Sequence, residues 1–150
     1  MYKSVLIPLD GTKEGEAVLT KVLGELAPGA EVTLLRIIER AQTKRVDGVI
    51  RDARMVEGEA RDRAHAYLVD LAGRLPKGLN YNAEVSVAES VAHGIVNFAN
   101  HKHVELIAMY THRRKPVVNV FQNSVSKAVK HGTKTPVKVY TQDSLKTKAS

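Results

Sequence analysis

The sequence predicts an α/β fold, in which a five-stranded, mainly parallel sheet is covered by helices on both faces. The main observation is that short apolar runs alternate with segments of helical periodicity, in the order β-α-β-α-β-α-β-α-β. The chain of 150 residues is about one domain long, and no internal repeat or linker divides it. Its composition, with 43% hydrophobic and 26% charged residues, is that of a globular protein. Together these observations predict a single Rossmann-like domain.

The first βαβ unit is predicted from a buried strand, a helix start and a second strand. The apolar run 5–9 is followed by Asp10-Gly11-Thr12, which is typical of a turn that opens a helix. The helix is predicted over about 13–26, because apolar residues recur on one stripe until Pro28-Gly29 ends it. A second buried strand is predicted over 31–38.

The rest of the chain continues the alternation after one irregular segment. Residues 39–49 show no periodic pattern and are predicted to form a mobile loop. The later elements follow from helical spacing of apolar residues or from apolar and alternating runs. They are a helix over about 50–75, a strand over 81–87, a helix over 89–101, a strand over 104–109, a helix over 124–131 and a strand over 136–140. Residues 141–150 are predicted to be a polar C-terminal tail that frays.

The positive charge of the chain is concentrated in its last third. The formal net charge is +7, yet residues 1–100 hold 13 basic and 14 acidic side chains. Residues 101–150 hold 10 basic and only 2 acidic side chains. A basic segment of this kind indicates an acidic partner, a phosphate-bearing ligand or nucleic acid.

Composition excludes several classes of function. The chain has no cysteine, so disulfides, thiolate metal sites and a cysteine nucleophile are excluded. No apolar run approaches the roughly 20 residues that a membrane-spanning helix needs. The N-terminus lacks the layout of a signal peptide, and we therefore expect a cytoplasmic protein without membrane insertion.

Five segments of the sequence, in their order and spacing, resemble the universal stress protein family. The resemblance covers about residues 2–140, which is essentially the whole predicted domain. The segments are Ser4-Val5-Leu6-Ile7-Pro8-Leu9-Asp10-Gly11-Thr12, Val104-Glu105-Leu106-Ile107-Ala108-Met109, Thr111-His112, Ser124-Val125 and Thr135-Pro136-Val137. The resemblance implies a universal stress protein domain over 1–140, a sheet order of 3-2-1-4-5 and, commonly, a homodimer.

One branch of that family binds ATP through a loop of the form G-x2-G-x9-G-[ST] after the fourth strand. Glycines let the backbone approach phosphate oxygens, and the final hydroxyl residue lies at a helix N-terminus that favours anions. In this sequence the glycine positions hold Tyr110, Arg113 and Asn123, and only Ser124 is retained. A further glycine usual in the loop is here Pro116, which lacks an N–H donor. The sequence thus resembles the branch that does not bind ATP.

The resemblance also implies a base pocket at the ends of the first two strands. Asp10 would contact the ribose or adenine, and Pro8 and Ile38 would line the pocket. The alternative interpretation is that Asp10 caps the first helix and Pro8 closes a strand, which needs no ligand. We favour this alternative because the glycines of the loop are replaced. At the first of these positions, Tyr110 is expected to place its ring at the strand end, where a nucleotide would have to pass.

The densest basic cluster is His112-Arg113-Arg114-Lys115. Side chains such as that of Arg113 can replace lost backbone donors and, with Ser124, hold a phosphate or an acidic partner. The alternative is a solvated surface loop. We expect no cofactor, with ATP or another adenine nucleotide as the alternative.

Neither a metal site nor a catalytic group is indicated. The histidines lack carboxylate partners at ligand spacing, and no Ser–His–Asp order falls on the strand-end loops. The basic third has too few aromatic residues for a base-stacking platform, so specific nucleic-acid binding is not expected. The histidines considered as ligands are His101, His103, His112 and His131.

The last strand is expected to lie at an edge of the sheet. Residues Val137 to Tyr140 would then offer unpaired backbone groups to a second copy of the chain. The sequence therefore predicts a non-enzymatic, homodimeric stress-response or regulatory protein. One alternative is a nucleotide-binding member that uses Asp10, the basic loop 112–115 and Ser124. The other is an adaptor whose basic face docks an acidic protein.

Overall fold

A computed structural model describes residues 1–40, 44–46, 49–51, 53–112, 121 and 123–141. Apart from two short strands between residues 44 and 51, strands and helices alternate along this part of the chain as the periodicity predicts. The elements are β1 (Tyr2–Pro8), α1 (Lys13–Leu23), β2 (Leu26–Glu39), β3 (Lys44–Val46), β4 (Val49–Arg51), α2 (Ala53–Gly73), β5 (Asn80–Ala88), α3 (Val91–Lys102), β6 (Leu106–Tyr110), α4 (Asn123–Gly132) and β7 (Val137–Tyr140).

Five of these strands form one sheet in the order β5-β2-β1-β6-β7, and every pairing is parallel. Counted among the strands of this sheet alone, the order is the predicted 3-2-1-4-5, and the predicted fold class is confirmed. The chain moves outward from β1 to β2 and β5, and then returns to β6 on the other side of β1. The strand order therefore reverses between β1 and β6, where parallel sheets bind ligands at their carboxyl ends.

Helices cover both faces of the sheet because alternate residues of each central strand point in opposite directions. Val5 and Ile7 of β1 pack with α1 and α2, whereas Leu6 packs with α3 and α4. All five residues of β6 are buried, which explains why this strand reads as a continuous apolar run. Burying each such aliphatic side chain contributes about 1.5–3 kcal/mol relative to leaving it exposed.

The junction of α1 and β2 differs from the prediction. The helix ends at Leu23, and Leu26 begins a strand in which it pairs with Tyr2. The pairing then jumps, so that Ser4 lies opposite Glu31. The prediction of helix as far as residue 26 was wrong because Leu26, which is 5% exposed, fits the apolar stripe of the helix and the core face of the strand equally well.

The prediction of a loop over 39–49 was also wrong in part. β3 and β4 pair antiparallel as a two-stranded sheet, and α2 begins only at Ala53. Ile50 therefore belongs to β4 and not to the long helix. The sequence carries a signal for this hairpin, since Asp47-Gly48 between two valines is typical of a two-residue hairpin turn.

No helix in the described ranges is both long and apolar enough to cross a membrane.

Candidate functional site

The carboxylate of Asp10, directly after β1, is enclosed by its own chain. Its side chain is only 1% exposed. Oδ1 accepts hydrogen bonds from the Thr12 amide at 3.0 Å and from the Thr12 hydroxyl at 2.6 Å. Thr12 is the N-cap of α1, because its hydroxyl oxygen accepts from the amide of Gly15 at 3.0 Å. Asp10 itself is therefore not the helix cap that the sequence suggested, but the residue that fixes the cap.

The second carboxylate oxygen of Asp10 is bound to residues more than 100 positions away. Oδ2 lies 3.1 Å from Nε2 of His112 and accepts from the Phe121 amide at 3.1 Å. The His112 amide in turn donates to the carbonyl of Phe121 at 2.8 Å. Asp10 therefore ties the end of β1 to both residues that flank the segment 113–120.

The hydrogen bonds of this cluster outweigh the cost of burying a charge. Burial alone would raise the pKa of Asp10, but the hydrogen bonds from Thr12 and the Phe121 amide, together with the charge of His112, lower it below its usual value. The single hydroxyl proton of Thr12 is donated to Asp10, so its oxygen has no proton left for the imidazole. Nε2 of His112 lies 3.1 Å from Oδ2 of Asp10, and because a carboxylate oxygen only accepts, this nitrogen carries the proton of that hydrogen bond.

Gly15 permits this close arrangement at the start of α1. A Cβ atom on Gly15 would lie 2.9 Å from Oδ1 of Asp10 and 3.2 Å from the Thr12 hydroxyl oxygen. Any larger residue would push the helix away from the carboxylate.

Arg36 is the one charged residue between Val32 and Ile38 in the apolar part of β2. Its Nη1 donates to the carbonyl of Leu9 at 3.3 Å, and its guanidinium carbon lies 5.9 Å from the centre of the Tyr67 ring. Burial lowers the pKa of Arg36, and the neighbouring Tyr67 and Asp10 counteract this effect only in part. The strand thus holds a poorly hydrated cation beside Asp10.

Tyr67 connects this strand end to two helices. From α2, its hydroxyl donates to Oε2 of Glu16 in α1 at 2.8 Å. Burial and the hydrogen bond to Glu16 raise the pKa of Tyr67 well above its usual value. The ring is therefore neutral at physiological pH and forms a fixed wall behind Arg36.

A cleft of about 410 Å³ opens where these groups meet. Its floor is formed by the ends of β1 and β2, and its walls by α2, the start of α3 and Phe121. The residues that line it are Leu9, Gly11, Arg36, Ile37, Ile38, Glu39, Ala60, Arg63, Ala64, Tyr67, Val91 and Phe121. The volume lies in the range of small-molecule sites.

The structure places the five predicted site residues in different surroundings. Ile38 lines the cleft, Pro8 is buried, and Asp10 is enclosed as described. Ser124 is exposed as the second residue of α4. Arg113 lies outside the described residues. A ligand role for these residues stays a prediction.

Tyr110 lies in the core and not in the path of a ligand. It is 5% exposed and belongs to the apolar cluster that β1 forms with α1 and α2. Its ring meets that of His112 edge-on, with 4.6 Å between the ring centres. The ring lies at the end of β6, as expected, but alternation along the strand turns it toward the α1 side, and it is not one of the described residues that line the cleft.

Arg36, Tyr67 and Phe121 were missed as site residues. A signal for Arg36 existed, since a lone arginine inside an apolar strand needs a structural or functional reason. No comparable signal existed for Tyr67 and Phe121, whose periodicity and position predict ordinary core residues. Among the described residues, no group of three or more metal-binding side chains occurs.

Comparison with known proteins shows the family to which this chain belongs. The profile of the universal stress protein family matches residues 1–141. The chain therefore belongs to the universal stress protein family. No curated protein matches the sequence closely enough to count as a relative.

Solved structures show the same fold at low sequence identity. Hypothetical protein MJ0577 is 23% identical, with a TM-score of 0.77 over 95% of this chain and 97% of that one. Universal stress protein UspA from Lactobacillus plantarum is 19% identical, with a TM-score of 0.63 over 92% and 97%. A universal stress protein in complex with cAMP is 15% identical, with a TM-score of 0.56 over 93% and 97%.

Proposed function

We propose that this chain is a non-enzymatic, homodimeric regulatory protein of the cytoplasm that does not bind ATP in the manner of the glycine-loop branch of its family. One observation carries the proposal. Both oxygens of Asp10 accept hydrogen bonds from within the chain, two on Oδ1 and two on Oδ2. A ribose hydroxyl would have to displace one of these donors, and a buried donor left without an acceptor costs about 1–3 kcal/mol.

The residues at the glycine positions of the phosphate-binding loop also support the proposal that ATP is not bound. Three positions where the family loop has glycine hold Tyr110, Arg113 and Asn123. Tyr110 is packed in the core, so the backbone at this position is fixed by its side chain. These replacements remove the freedom by which glycine brings N–H groups to phosphate oxygens.

The bonding of Thr12 and His112 supports a protein without catalytic activity. The Thr12 hydroxyl donates to Asp10 and accepts from the Gly15 amide, so it is used as a helix cap. Because Nε2 of His112 carries a proton, this nitrogen cannot act as the base that activates Thr12 as a nucleophile.

Mass spectrometry and calorimetry test the proposal that the protein does not bind ATP. Protein purified without added nucleotide is expected to release no adenine nucleotide in mass spectrometry. A calorimetric titration with ATP and magnesium is expected to show no binding in the sub-millimolar range. Sub-millimolar binding that Arg113→Ala or Ser124→Ala weakens, and that Lys127→Ala on the exposed surface of α4 leaves unchanged, would contradict the proposal.

The cleft favours a second candidate, a nucleotide-binding member of the family. Its volume is sufficient for a base, and Ile38 lines it as the sequence suggested. The relative in complex with cAMP shows that a protein of this fold takes a nucleotide. In this candidate Asp10, the loop 112–115 and Ser124 hold the nucleotide, and the titration above decides between the two.

The surface of α4 favours a third candidate, an adaptor for an acidic protein. Lys127 and Lys130 of α4, His131 and the following Lys134 are exposed, and α4 contains no acidic residue. Binding of an acidic protein that weakens steeply with salt would distinguish this candidate.

A further inference from the structure

Arg36 is a partly buried cation that forms no ion pair with a carboxylate in the described part of the chain. Its Nη1 makes one long hydrogen bond, at 3.3 Å, to the carbonyl of Leu9. Its Nε is inaccessible and has no acceptor among the described residues. Asp10 is close enough to favour the charge of Arg36, but both of its oxygens are occupied by other donors. Withdrawing part of a charged group from water without an ion-pair partner is costly, so this guanidinium favours an anion beside it.

A second arginine faces the same cleft. Arg63 lies one helical turn before Tyr67 on α2, and both residues line the cleft together with Arg36. No ion pair of Arg63 occurs within the described residues. Among the described residues that line the cleft, Glu39 is the one acidic residue, and it lies exposed at the end of β2. The described lining therefore carries a net positive charge.

The remaining walls are apolar, because α2 presents small residues to the cleft. Ala60 and Ala64 face the ends of β1 and β2, whereas Leu68 and Leu71 further along the helix fill the space against the sheet. Ile38 lies on the opposite wall, and the volume is about 410 Å³. The cleft therefore has room for an apolar body of modest size.

We propose that this cleft binds a small organic carboxylate, whose charged end pairs with Arg36 and Arg63 and whose apolar body lies against the alanines of α2. A guanidinium is planar and matches the two oxygens of a carboxylate. The inference rests on the proposed function, since it requires that ATP does not occupy the cleft.

Phenylacetate and its neutral isostere phenylacetamide test this site as a matched pair. In ligand-observed NMR titrations, phenylacetate is expected to bind at least about tenfold more tightly than the amide, because a charge-assisted hydrogen bond contributes that much. Arg36→Gln is expected to weaken phenylacetate binding about tenfold or more. Ala60→Phe is expected to abolish it by filling the cleft while both arginines remain. Arg40→Gln is the control, because Arg40 pairs with Glu89 and does not line the cleft.

The following results would overturn the proposal of a carboxylate site. Equal binding of the amide, no binding of phenylacetate, or unchanged binding by Arg36→Gln would overturn it. Inorganic phosphate is titrated as well, and binding of phosphate without phenylacetate also overturns a carboxylate site. ATP with magnesium is titrated in parallel. If ATP binds, the proposed function fails, whereas if neither ATP nor phenylacetate binds, only this inference fails. Circular dichroism verifies that each variant is folded.

Discussion

At the scale of single residues, Asp10 joins the parts of the chain that meet at the end of β1. Its carboxylate holds the N-cap Thr12 on one side, and His112 and the Phe121 amide on the other. Hydrogen bonds to a charged acceptor are worth about 1.5–3 kcal/mol each, roughly twice the neutral value. One side chain therefore couples the start of α1 to the segment between β6 and α4.

This coupling predicts a pH-dependent effect of Asp10→Asn. The folded-state pKa of Asp10 is lowered, so the ionised carboxylate stabilises the fold fully above the usual pKa of this group. That contribution is lost as pH falls through the lower, folded-state pKa. Asp10→Asn is therefore expected to reduce the free energy of unfolding by about 2 kcal/mol at neutral pH and by much less near pH 3. Urea denaturation at the two pH values measures both differences.

A surface variant controls for the loss of charge in this experiment. Glu31 is exposed, and Glu31→Gln is expected to change the free energy of unfolding by less than about 0.5 kcal/mol at either pH. If the effect of Asp10→Asn is as large near pH 3 as at pH 7, the carboxylate is not the stabilising group.

At the scale of elements, the fit between α3 and β2 depends on a glycine inside the helix. A Cβ atom on Gly94 would lie 2.8 Å from Cδ1 and from Cγ2 of Ile37, and 3.0 Å from Cβ of Ala88. Cγ2 is attached directly to Cβ of a branched side chain and cannot move away independently. Glycine has a low helix propensity, but at this position it allows α3 to lie close to the sheet.

Gly94→Ala is therefore expected to destabilise the protein although alanine is the better helix former. Alanine favours the helix by about 1 kcal/mol, but overpacking a buried contact costs about 1–3 kcal/mol. The expected net loss is about 1 kcal/mol in the free energy of unfolding. Gly58→Ala is the matched control in α2, where a Cβ meets nothing within 4 Å, and this variant is expected to be more stable than the parent protein. Stabilisation by Gly94→Ala would show that α3 moves freely on β2.

The type of an element could be predicted wherever a single hydrophobic period dominated a segment. The junctions between elements could not be predicted in this way. The apolar run of β6 predicted a strand and the apolar stripe of α1 predicted a helix, both correctly. Burial on both faces of a strand produces the first pattern, and burial of one face of a helix produces the second. Leu26 satisfied two patterns at once and was assigned to the wrong element. The hairpin of β3 and β4 was missed despite the turn sequence Asp47-Gly48, because strands of three residues are too short for a period to show.

At the scale of the whole molecule, the site was less predictable than the fold. Asp10 was selected from the sequence as a candidate site residue, but its partners His112 and Phe121 follow it by 102 and 111 positions. No local pattern reports such a contact, since it arises only when the sheet order brings β1 beside β6. Arg36 and Tyr67 likewise meet across two elements, and their pairing depends on the way α2 packs on the sheet.

The order of the sheet also leaves β7 as an edge strand. Its carbonyls at Pro136 and Tyr140 accept from the amides of β6 at Ile107 and Thr111. Along a parallel strand the polar groups of alternate residues point to opposite sides. The N–H and C=O groups of Val137 and Val139 therefore face outward, away from β6. Exposed edges of this kind favour pairing with another chain.

The charge near this edge is partly neutralised within the chain. Nζ of Lys138 lies 3.0 Å from Oε1 of Glu25, and the hydrogen bond to Glu25 raises the pKa of this lysine. Lys138 is exposed, so the pair adds little stability. It does place a negative charge beside the basic last third, which reduces the repulsion between two copies that approach through β7.

Val139→Pro tests the proposed dimer without disturbing the bond pattern to β6. Proline lacks the N–H that Val139 directs outward, so pairing with a second chain is lost while the contacts of β7 within the sheet remain. The parent protein is expected to scatter light as a dimer at micromolar concentration, and Val139→Pro as a monomer. Val139→Thr, which keeps the N–H and the branched side chain, is expected to remain a dimer. A monomeric parent protein would overturn the proposal, and a dimeric Val139→Pro variant would place the interface elsewhere.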